Sequence, residues 1–355
     1  MQTLHHVVYA DARKMPGVGD ESVELIVTSP PYPMIEMWDA AFTAMNPAIA
    51  AMLKAKAGSQ AFELMHQELD KVWCECVRVL KPGGIICINI GDAVRTLSDD
   101  FQMYSNHARI IHAFYQLGLT QLPDILWRKP TNAPNKFMGS GMLPVGAYVT
   151  YEHEYILLFR KGSRRTFKSA EEKQKRRASA FFWEERNCWF SDLWTDVKGT
   201  AQELVDPLTR QRSAAYPFEL AYRLICMHSI YEDTVLDPFL GTGTTMAAAI
   251  AGGRNSVGIE SDVQLQTAIS RSAENAITLG AKQIAMRLCN HQEFILLRAE
   301  ASLKCKYRNS HYGFPVMTSY ETDIELPMPQ RLTSLNGRYK VKYEVVAKRA
   351  ISKTR

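Results

Sequence analysis

The sequence has few of the features that mark secreted, membrane-spanning or zinc-binding proteins. Its seven cysteines form no CxxC pair, so neither a disulfide framework nor a four-cysteine zinc site is expected. Its richest apolar runs, residues 85–90 and 155–159, are far shorter than the roughly 20 residues that cross a membrane. Residues 1–9 have neither the basic nor the apolar region of a signal peptide. These features together predict a protein of the reducing cytoplasm.

The net charge of +5 is small for 355 residues, but it is unevenly distributed. Residues 160–177 contain nine Lys or Arg and two Glu, and residues 296–355 contain twelve Lys or Arg and five acids. Basic segments on an otherwise acidic body suit a polyanionic partner, although a solvated loop and tail explain the charge equally well. The apolar fraction of 46% and the charged fraction of 22% are typical of globular proteins and argue against disorder of the whole chain.

The hydrophobic pattern predicts a doubly wound α/β sheet built from two segments. The first contains apolar runs typical of strands at residues 23–27 and 85–90 and a helical pattern at residues 62–80, which the Lys81-Pro82-Gly83-Gly84 sequence is expected to end. A further helix is expected within residues 106–117, and strands near residues 125 and 155. The second segment predicts helices at 218–229, 246–251 and 262–279 and strands at 234–237 and 255–260. This alternation implies a parallel sheet with crossover helices.

A basic and then aromatic stretch separates the two segments. Six aromatic residues fall within residues 181–194, and we expect them to form a small core for an inserted subdomain. Residues 130–146, rich in proline and glycine, predict a long loop of the kind that is usually functional or mobile. The predicted organisation has residues 1–160 and 213–280 as two halves of one domain, residues 161–212 as an insert and residues 281–355 as a basic extension.

Glycines occur where a predicted strand turns into a helix, in the sequence Asp237-Pro238-Phe239-Leu240-Gly241-Thr242-Gly243-Thr244-Thr245. Glycine lets the backbone approach a ligand closely, and the start of a helix offers free N–H groups. Glu260 ends the next predicted strand, where an acid can accept hydrogen bonds from both ribose hydroxyls of a nucleoside cofactor. The loop has neither the third glycine of a dinucleotide fingerprint nor the lysine of a P-loop. A plain strand-to-helix turn remains an alternative.

A second motif, Thr28-Ser29-Pro30-Pro31-Tyr32, also follows a predicted strand. Its two prolines stiffen the loop and remove backbone donors, so its carbonyl groups are available to accept from a ligand. The Ser29 hydroxyl can accept or donate a hydrogen bond, and Tyr32 offers a ring for stacking. Such a loop suits a flat group that carries an amino function, although by itself a Pro-Pro sequence is more often only a turn. Both motifs are expected at the carboxyl ends of parallel strands, where α/β proteins bind ligands.

Together the two motifs resemble those of the DNA amino-methyltransferases, which make N4-methylcytosine or N6-methyladenine from S-adenosyl-L-methionine. The catalytic-type motif precedes the cofactor-type motif, an order that resembles the β class, a circular permutation of the usual methyltransferase. The resemblance covers residues 5–279. It implies a Rossmann-like fold with a seven-stranded sheet, whose strands follow the chain in the family order 3, 4, 5, 6, 7, 1, 2. It also implies a target-recognition region in the insert at residues 161–212.

The resemblance assigns roles residue by residue. The implied catalytic residues are Ser29, Pro30, Pro31 and Tyr32. The implied cofactor contacts are Asp11 at the adenine end, Phe239 against the adenosine, Glu260 at the ribose, Asp237, Gly241, Thr242 and Gly243 around the methionine part, and Thr28, Pro217, Pro238 and Thr244. The expected DNA contacts are Trp127, Lys129, Asn132, Arg164, Arg165, Arg176 and Arg177. A metal site is not expected, since His153-Glu154 lacks the second histidine of a zinc-peptidase motif.

The implied chemistry is direct methyl transfer to an exocyclic amino group. Ser29 Oγ and the Pro30 carbonyl would each accept one N–H, so that the nitrogen lone pair can attack the sulfonium methyl. The base has to leave the duplex to reach the site, and it can stack on Tyr32. In the family, Ser-Pro-Pro-Tyr usually accompanies cytosine N4, which is therefore favoured over adenine N6. A catalytically inactive DNA-binding module and an RNA-directed enzyme remain alternatives.

The expected partners follow from the same resemblance. They are double-stranded DNA, a cognate restriction endonuclease and a second copy of the chain in a homodimer, although an orphan enzyme is also compatible with the sequence. The implied location is the cytoplasm, in association with the nucleoid. The basic extension after residue 296 is expected to add DNA affinity.

Overall fold

The computed structural model describes residues 1–97, 101–129, 138–198, 216–335 and 337–345. Its strands are β1 (Gln2–Tyr9), β2 (Val23–Thr28), β3 (Leu80–Ile90), β4 (Ala93–Thr96), β5 (Phe101–Tyr104), β6 (Thr120–Gln121), β7 (Ile125–Arg128), β8 (Met138–Gly139), β9 (Ala147–Tyr148), β10 (His153–Arg160), β11 (Leu193–Trp194), β12 (Thr234–Asp237), β13 (Asn255–Glu260), β14 (Tyr307–Arg308), β15 (Pro315–Val316), β16 (Pro327–Leu335) and β17 (Arg338–Val345). Its α-helices are α1 (Asp39–Met45), α2 (Ala48–Lys54), α3 (Gly58–Val79), α4 (Asn106–Gln116), α5 (Ala170–Ala178), α6 (Trp183–Trp189), α7 (Phe218–His228), α8 (Thr244–Gly252) and α9 (Gln266–Glu300). Short 3-10 helices span Glu36–Trp38, Val263–Leu265 and Ser319–Glu321.

Eleven strands of the described residues form one central sheet, in the order β11-β7-β10-β3-β2-β12-β13-β1-β17-β16 with β6 beside β10. Strands β3, β2, β12, β13 and β1 are parallel to one another, whereas β10 is antiparallel to both β3 and β7. Helices connect β2 to β3 and β12 to β13, as a parallel connection requires. The predicted doubly wound α/β class is therefore confirmed. The strands predicted at 234–237 and 255–260 have the predicted bounds.

Helices cover both faces of the sheet, and this explains why its central strands are almost continuously apolar. Along β2, Ile26 packs in the core beneath α3 and α4, whereas Leu25 and Val27 pack in the core beneath α7 and α8. Strands β3 and β10 alternate in the same way. Each fully buried side chain of this size contributes roughly 1.5–3 kcal/mol to folding. Because two opposite layers depend on the two-residue period, the register of the central strands is strongly determined.

Helix α3 is the predicted amphipathic helix, but it begins at Gly58 and ends at Val79. Its buried residues include Ala61, Met65, Leu69 and Val72, at the spacing of a single helical face. The following residues 81–84 belong to β3 rather than to a separate turn. Gly83 has a φ of 82°, and the backbone of Arg165 lies 2.7 Å from where its Cβ would be. Glycine is needed there because the chain after β10 passes directly over it.

Helix α9 is longer than the helix predicted at 262–279, because it begins at Gln266 and continues to Glu300. At Gly280 it passes close to its neighbours: a Cβ there would lie 2.6 Å from Pro329 and 3.1 Å from Ala251. The glycine therefore serves a close approach to β16 and α8 and does not end the helix.

The aromatic part of the insert does not form a core of its own, contrary to the prediction. Strand β11 extends the central sheet beside β7, and Trp189 and Trp194 pack in the same core as α7. Phe182 packs against Ile284 and Leu288 of α9. The physical reason is that the insert is too short to bury its aromatic rings by itself, so the helices of the main domain bury them.

Strands β16 and β17, within the predicted C-terminal extension, are also part of the main fold. Strand β17 is antiparallel to β1, and it pairs with β16 to complete one edge of the sheet. The Tyr343 hydroxyl lies 2.9 Å from Thr3 Oγ1 and donates to the carbonyl of Ile250 over 2.7 Å. The central sheet is therefore wider than the seven strands predicted. None of the helices in the described ranges has the length and apolarity needed to cross a bilayer.

Candidate active site

The two sequence motifs meet at the carboxyl edge of the central sheet. Strands β2 and β12 are neighbours, so the loops that follow them lie side by side. Thr28 Oγ1 donates to Asp237 Oδ1 over 2.7 Å and ties the end of β2 to the end of β12. Two segments 209 residues apart in the chain thereby form a single site.

Asp237 is the centre of this junction. Its side chain is buried and accepts hydrogen bonds from Thr28, from Thr245 Oγ1 at 2.5 Å and from the Phe239 backbone N–H at 3.0 Å. Burial raises the pKa of Asp237 to about 6, although the Thr245 and Thr28 hydroxyls and the Phe239 N–H favour the charged form. Its carboxylate thus holds the two loops in position.

Glu260 accepts hydrogen bonds from the glycine loop and from the residues that follow β13. Gly241 and Gly243 have φ values of 54° and 88°, which strongly favour glycine. The Gly241 N–H donates to one Glu260 carboxylate oxygen and the Asp262 N–H to the other, each over 2.8 Å. Burial raises the pKa of Glu260. Because each carboxylate oxygen can accept more than one hydrogen bond, Glu260 can accept further donors from the cavity that it lines.

One cavity of about 540 Å³ joins the glycine loop to the Pro-Pro loop. Its volume lies within the roughly 300–1,000 Å³ of small-molecule sites. The predicted site residues in its wall are Asp11, Ser29, Pro31, Pro238, Phe239, Gly241, Thr242, Thr244 and Glu260. The predicted cofactor contacts Thr28, Pro217, Asp237 and Gly243 are buried behind this wall. The cavity therefore brings together most of the residues that the two motifs supplied.

Part of the cavity wall has no counterpart in the sequence analysis. Trp38 ends a 3-10 helix, and Ala41 and Met45 on α1 line the cavity opposite the glycine loop. Tyr216, next to the expected cofactor contact Pro217, also lines the cavity, and its hydroxyl hydrogen-bonds to Thr245. Helix α1 is rich in alanine, which carries no distinctive chemistry. The sequence could therefore indicate a helix there through its helical propensity, but not a role in the cavity wall.

Asp11 lies beside Glu260 because β1 and β13 are neighbours, and the Ala10 N–H donates to the Glu260 carbonyl over 2.9 Å. Arg13 donates to the Asp11 carboxylate from Nε at 2.9 Å and from Nη2 at 2.6 Å. The hydrogen bond from Arg13 holds the pKa of Asp11 below its usual value. Arg13 also pairs with Glu68 on α3 over 2.7 Å. Asp11 is thus held charged and oriented at the cavity wall.

The Pro-Pro loop continues into a hydrogen-bonded cluster around Tyr32. The Tyr32 hydroxyl donates to Glu154 Oε2 over 2.9 Å, accepts from Asn89 Nδ2 over 2.9 Å and lies 3.2 Å from Ser29 Oγ. Burial raises the pKa of Tyr32 well above its usual value, which keeps the phenol protonated. A Cβ at Gly91 would lie 3.1 Å from the Tyr32 ring. The Tyr32 ring is thus held in one orientation next to Ser29.

The sequence analysis did not include Glu154 among the site residues, because it is a single acid in an otherwise largely apolar strand. It is 9% exposed and receives donors from Tyr32, from Asn89 over 2.7 Å and from Lys129 over 2.8 Å. Lys129, a predicted DNA contact, therefore lies at the catalytic edge with half of its side chain exposed.

The remaining predicted DNA contacts lie elsewhere. The prediction that Trp127 contacts DNA is wrong, because the residue is 1% exposed and its Nε1 donates to the Val197 carbonyl over 2.9 Å. Arg165 pairs with Asp233, directly before β12, over 2.6 Å, and so lies with Arg164 at the amino edge of the sheet, opposite the motifs. Arg176 stacks over Phe167 at 4.7 Å, and Arg177 lies 3.3 Å from Asp323, both in this amino-edge region. Asn132 lies outside the described residues.

A second group of ionisable side chains lies where α6, α9 and the Ser319–Glu321 helix meet. Glu184, His291 and Glu321 each place one ligand-type atom within 4.8 Å of the others. His291 Nδ1 lies 2.9 Å from Glu184, and its Nε2 lies 3.0 Å from the Pro315 carbonyl oxygen. Protein acceptors thus contact both ring nitrogens, and the group ties the insert to α9.

Comparison with known proteins identifies the family. A profile of the family described as DNA methylase matches residues 23–271. The chain belongs to the DNA methylase family. Over 348 residues the methylase is 48% identical to the type II methyltransferase M.MthZI of Methanothermobacter thermautotrophicus, an alignment that covers 98% of this chain and 97% of the relative. It is 49% identical over 295 residues to the type II methyltransferase M.MjaI of Methanocaldococcus jannaschii, with 80% and 94% covered.

Solved structures show the same fold. The DNA modification methylase TTHA0409 of Thermus thermophilus, in complex with S-adenosyl-L-methionine, superimposes with a TM-score of 0.59 and 31% identity, covering 77% of the methylase and 96% of that chain. The predicted Rossmann-like methyltransferase fold is therefore confirmed, and so is the recognition of the chain as a DNA amino-methyltransferase.

The cavity of the methylase fits S-adenosyl-L-methionine. Glu260 offers a buried carboxylate for the two ribose hydroxyls, and Phe239 offers an aromatic surface for the adenine ring. Ser29 lies in the wall of the same cavity, so a ligand that fills it can present a methyl group at the Pro-Pro loop.

Proposed function

We propose that the methylase is a type II, site-specific DNA methyltransferase of the β class, which transfers the methyl group of S-adenosyl-L-methionine to N4 of cytosine in double-stranded DNA. The observation that carries this proposal is that Ser29 of the Pro-Pro loop lines the same cavity as Gly241 and Glu260 of the cofactor-type motif. The sulfonium of the bound cofactor supplies the methyl group. The residues of the chain supply the position of both reactants.

Each end of the cofactor has a matching group in the cavity. Glu260 would bind the ribose diol, Phe239 would pack against the adenosine, and Asp11, beside the end of β1, would face the adenine end; all three line the cavity. The Gly241 and Thr242 backbone, in the same wall, would contact the methionine part. Asp237 and Thr28 are buried and do not line the cavity. They contribute indirectly, because their hydrogen bonds hold the glycine loop against the Pro-Pro loop.

The target base enters at the Pro-Pro loop after it has left the duplex. Ser29 Oγ and the Pro30 carbonyl would each accept one N–H of the amino group, so that the nitrogen lone pair could bond to the methyl carbon. The bond from that carbon to the sulfonium sulfur would break, the neutral thioether would leave, and the methylated nitrogen would release one proton to solvent. Pro31 stiffens the loop. The Tyr32 ring, oriented by Glu154 and Asn89, stacks on the base. Stacking of this kind contributes about 1–3 kcal/mol, which offsets part of the cost of flipping.

The connectivity of the sheet supports the β class. In space the seven inner strands follow the order β1-β13-β12-β2-β3-β10-β7. The chain itself visits β1, β2, β3, β7 and β10 before β12 and β13, so the strand with the Pro-Pro loop precedes the strand with the glycine loop. Residues 28–32 read Thr-Ser-Pro-Pro-Tyr, which in the family usually accompanies cytosine N4. Adenine N6 is the alternative, since the same two acceptors suit either amino group.

DNA has to face the carboxyl edge, because Ser29 and the cavity that it lines lie at that edge. Lys129 belongs to this proposed interface, whereas Arg164, Arg165, Arg176 and Arg177 are left out of it because they lie in the amino-edge region. The names of the two relatives, both type II methyltransferases, support a role beside a restriction endonuclease. A homodimer remains a prediction.

The test incubates the protein with S-adenosyl-L-methionine and unmethylated plasmid DNA. The DNA is then digested to nucleosides, which are identified by mass spectrometry. N4-methylcytosine is the expected product, and N6-methyladenine would contradict the base assignment. The Ser29→Ala variant is expected to bind the cofactor as the wild type does and to form little product, which also excludes a contaminating methylase. A wild-type protein that binds the cofactor and methylates RNA or nothing at all would overturn the proposal.

A further inference from the structure

An apolar tip projects from the carboxyl edge of the sheet, between β8 and β9. Met142, Leu143 and Val145 are 82%, 69% and 98% exposed. Pro144, between them, is exposed as well. Exposed apolar residues are unremarkable singly, but four consecutive ones at the end of a hairpin are typical of a surface that contacts a partner. We call residues 142–145 the hairpin tip.

The hairpin tip has an ordered base. The Ser140 N–H donates to the Gly146 carbonyl over 2.9 Å, and Ser140 Oγ donates to the Leu143 carbonyl, so the turn is closed by two hydrogen bonds. Tyr148 of β9 stacks on Phe101 of β5, with ring centroids 5.0 Å apart and an angle of 5°. Strand β5 pairs with β4, which follows the carboxyl end of β3. The tip is therefore anchored to the edge that carries the catalytic loop.

The chain leads directly from the hairpin tip into the catalytic cluster. Strand β10 begins at His153, and its second residue, Glu154, accepts from Tyr32 and Lys129. The Lys129 N–H donates to the Glu152 carbonyl over 2.9 Å, which joins the two ends of the intervening segment. A duplex placed with its target base at Ser29 would therefore face the tip.

We infer that the hairpin tip is an apolar wedge, which enters the duplex beside the target base and stabilises the flipped state. This inference rests on the proposed function, since it names how the same site engages DNA. Leucine, methionine and proline are among the residues that proteins insert between base steps. The apolar side chains gain burial against the unstacked bases, and this gain offsets part of the cost of flipping.

The size and shape of the tip favour DNA over a second copy of the chain. A stable protein–protein interface buries about 800 Å² on each partner, which is far more than a convex tip of four residues presents. A narrow tip fits between base steps. Lys129, half exposed and paired with Glu154, lies where the segment that carries the hairpin leaves and rejoins the sheet, and a phosphate can compete for its positive charge.

The experiment uses the full-length methylase and short duplexes that contain its recognition sequence, mapped from methylated plasmid. The test variant carries Met142→Ser, Leu143→Ser and Val145→Ser. A matched control carries Leu4→Ser, Tyr115→Ser and Met286→Ser, three exposed apolar residues on β1, α4 and α9. Each protein is assayed on a matched duplex and on a duplex whose target base faces a non-complementary base, because a mismatched base costs less to flip.

The expected result is a loss in kcat/KM of about tenfold or more for the test variant on the matched duplex, and a clearly smaller loss on the mismatched duplex. The control variant should behave like the wild type on both. With pyrrolocytosine, a fluorescent cytosine analogue that pairs with guanine, at the target position, the wild type should raise the fluorescence and the test variant should raise it less.

Three outcomes would overturn the wedge. Equal losses on both duplexes would indicate general affinity, equal losses in the control would indicate a non-local effect, and a change in sedimentation of the test variant alone would indicate a protein–protein contact. Failure of the wild type to methylate any DNA is a different result, because it refutes the proposed function itself.

Discussion

Replacing Glu260 with glutamine tests the cofactor site most directly. In the structure the carboxylate accepts the Gly241 and Asp262 N–H groups, each over 2.8 Å, and keeps acceptor capacity toward the cavity. Glutamine has almost the same shape but only one acceptor oxygen. Its NH₂ group has to face a backbone donor or the ribose, so the variant loses a charged acceptor at a position where the ribose needs one.

The expected effect can be bounded from the hydrogen bonds involved. The variant leaves one backbone N–H without its acceptor whether or not the cofactor is bound. This loss therefore lowers the stability of the fold more than the affinity for the cofactor. The ribose, however, exchanges a charge-assisted hydrogen bond for a weak or absent one, worth about 1.5–3 kcal/mol. Glu260→Gln should therefore raise the Kd for S-adenosyl-L-methionine about 10- to 150-fold. Isothermal titration calorimetry measures this directly.

Glu274→Gln is the matched control, because Glu274 is an exposed acid on α9 and its replacement should leave the Kd unchanged. A Glu260→Gln variant that is folded, as judged by its circular dichroism, and binds the cofactor within about twofold of the wild type would refute the assignment, since the loss of a charged acceptor cannot be that small.

The remaining predictions concern catalysis, pH and stability. Tyr32→Phe removes the hydroxyl bonded to Glu154 and should lower single-turnover kcat roughly fivefold, or about 1 kcal/mol, with the cofactor Kd unchanged in calorimetry; an unchanged rate would contradict a positioning role. Asp237 has a folded pKa of about 6 against 3.8 when free, so the folded protein binds more protons between these values. The free energy of unfolding should therefore fall by about 2 kcal/mol as pH rises from 4 to 6; in urea titrations Asp237→Asn should lack this component, and parallel curves would refute it. Arg287→Met leaves Glu185 buried without its partner and should cost about 3–5 kcal/mol of unfolding free energy in urea. The added change Glu185→Leu should recover most of that loss, and no recovery would contradict the pairing.

The chemistry of the site was readable because it resides in two short segments. In a parallel sheet the carboxyl ends of neighbouring strands share one edge, so strand patterns followed by Ser29 and by Gly241 already predicted that the loops meet. In the structure the two loops are joined by the hydrogen bond from Thr28 to Asp237. Local pattern and local chemistry agreed there, and such agreement is what makes a sequence interpretable.

Trp127 shows where the same reasoning was wrong. It stands beside Arg128 and Lys129 near a strand end, a context typical of a nucleic-acid contact. In the structure β11 pairs with β7, and the Val197 carbonyl accepts from the indole, so the ring is buried. This cover comes from a segment about 70 residues further along the chain, and the sequence near Trp127 contains no sign of it.

The basic stretch at residues 160–177 shows a related limit of charge patterns. Charge predicts a partner but not the side of the molecule, and Arg165 is bound to Asp233 at the amino edge. In the same way, the sequence places Glu154 in an apolar strand, although its carboxylate accepts hydrogen bonds from Tyr32, Asn89 and Lys129. Neither placement follows from neighbours in the chain.

By itself the sequence determined the α/β alternation, the two loops and the kind of chemistry they serve, because strand period, glycine backbone freedom and donor or acceptor type are local properties of the chain. The tertiary structure alone decided which distant segments cover those loops. The Ala-rich helix α1 closes the cavity, β11 and β17 extend the sheet, and the hairpin tip projects at the catalytic edge. These choices depend on which apolar surfaces pair with which, and that pairing is settled by packing across the whole fold rather than by residue spacing.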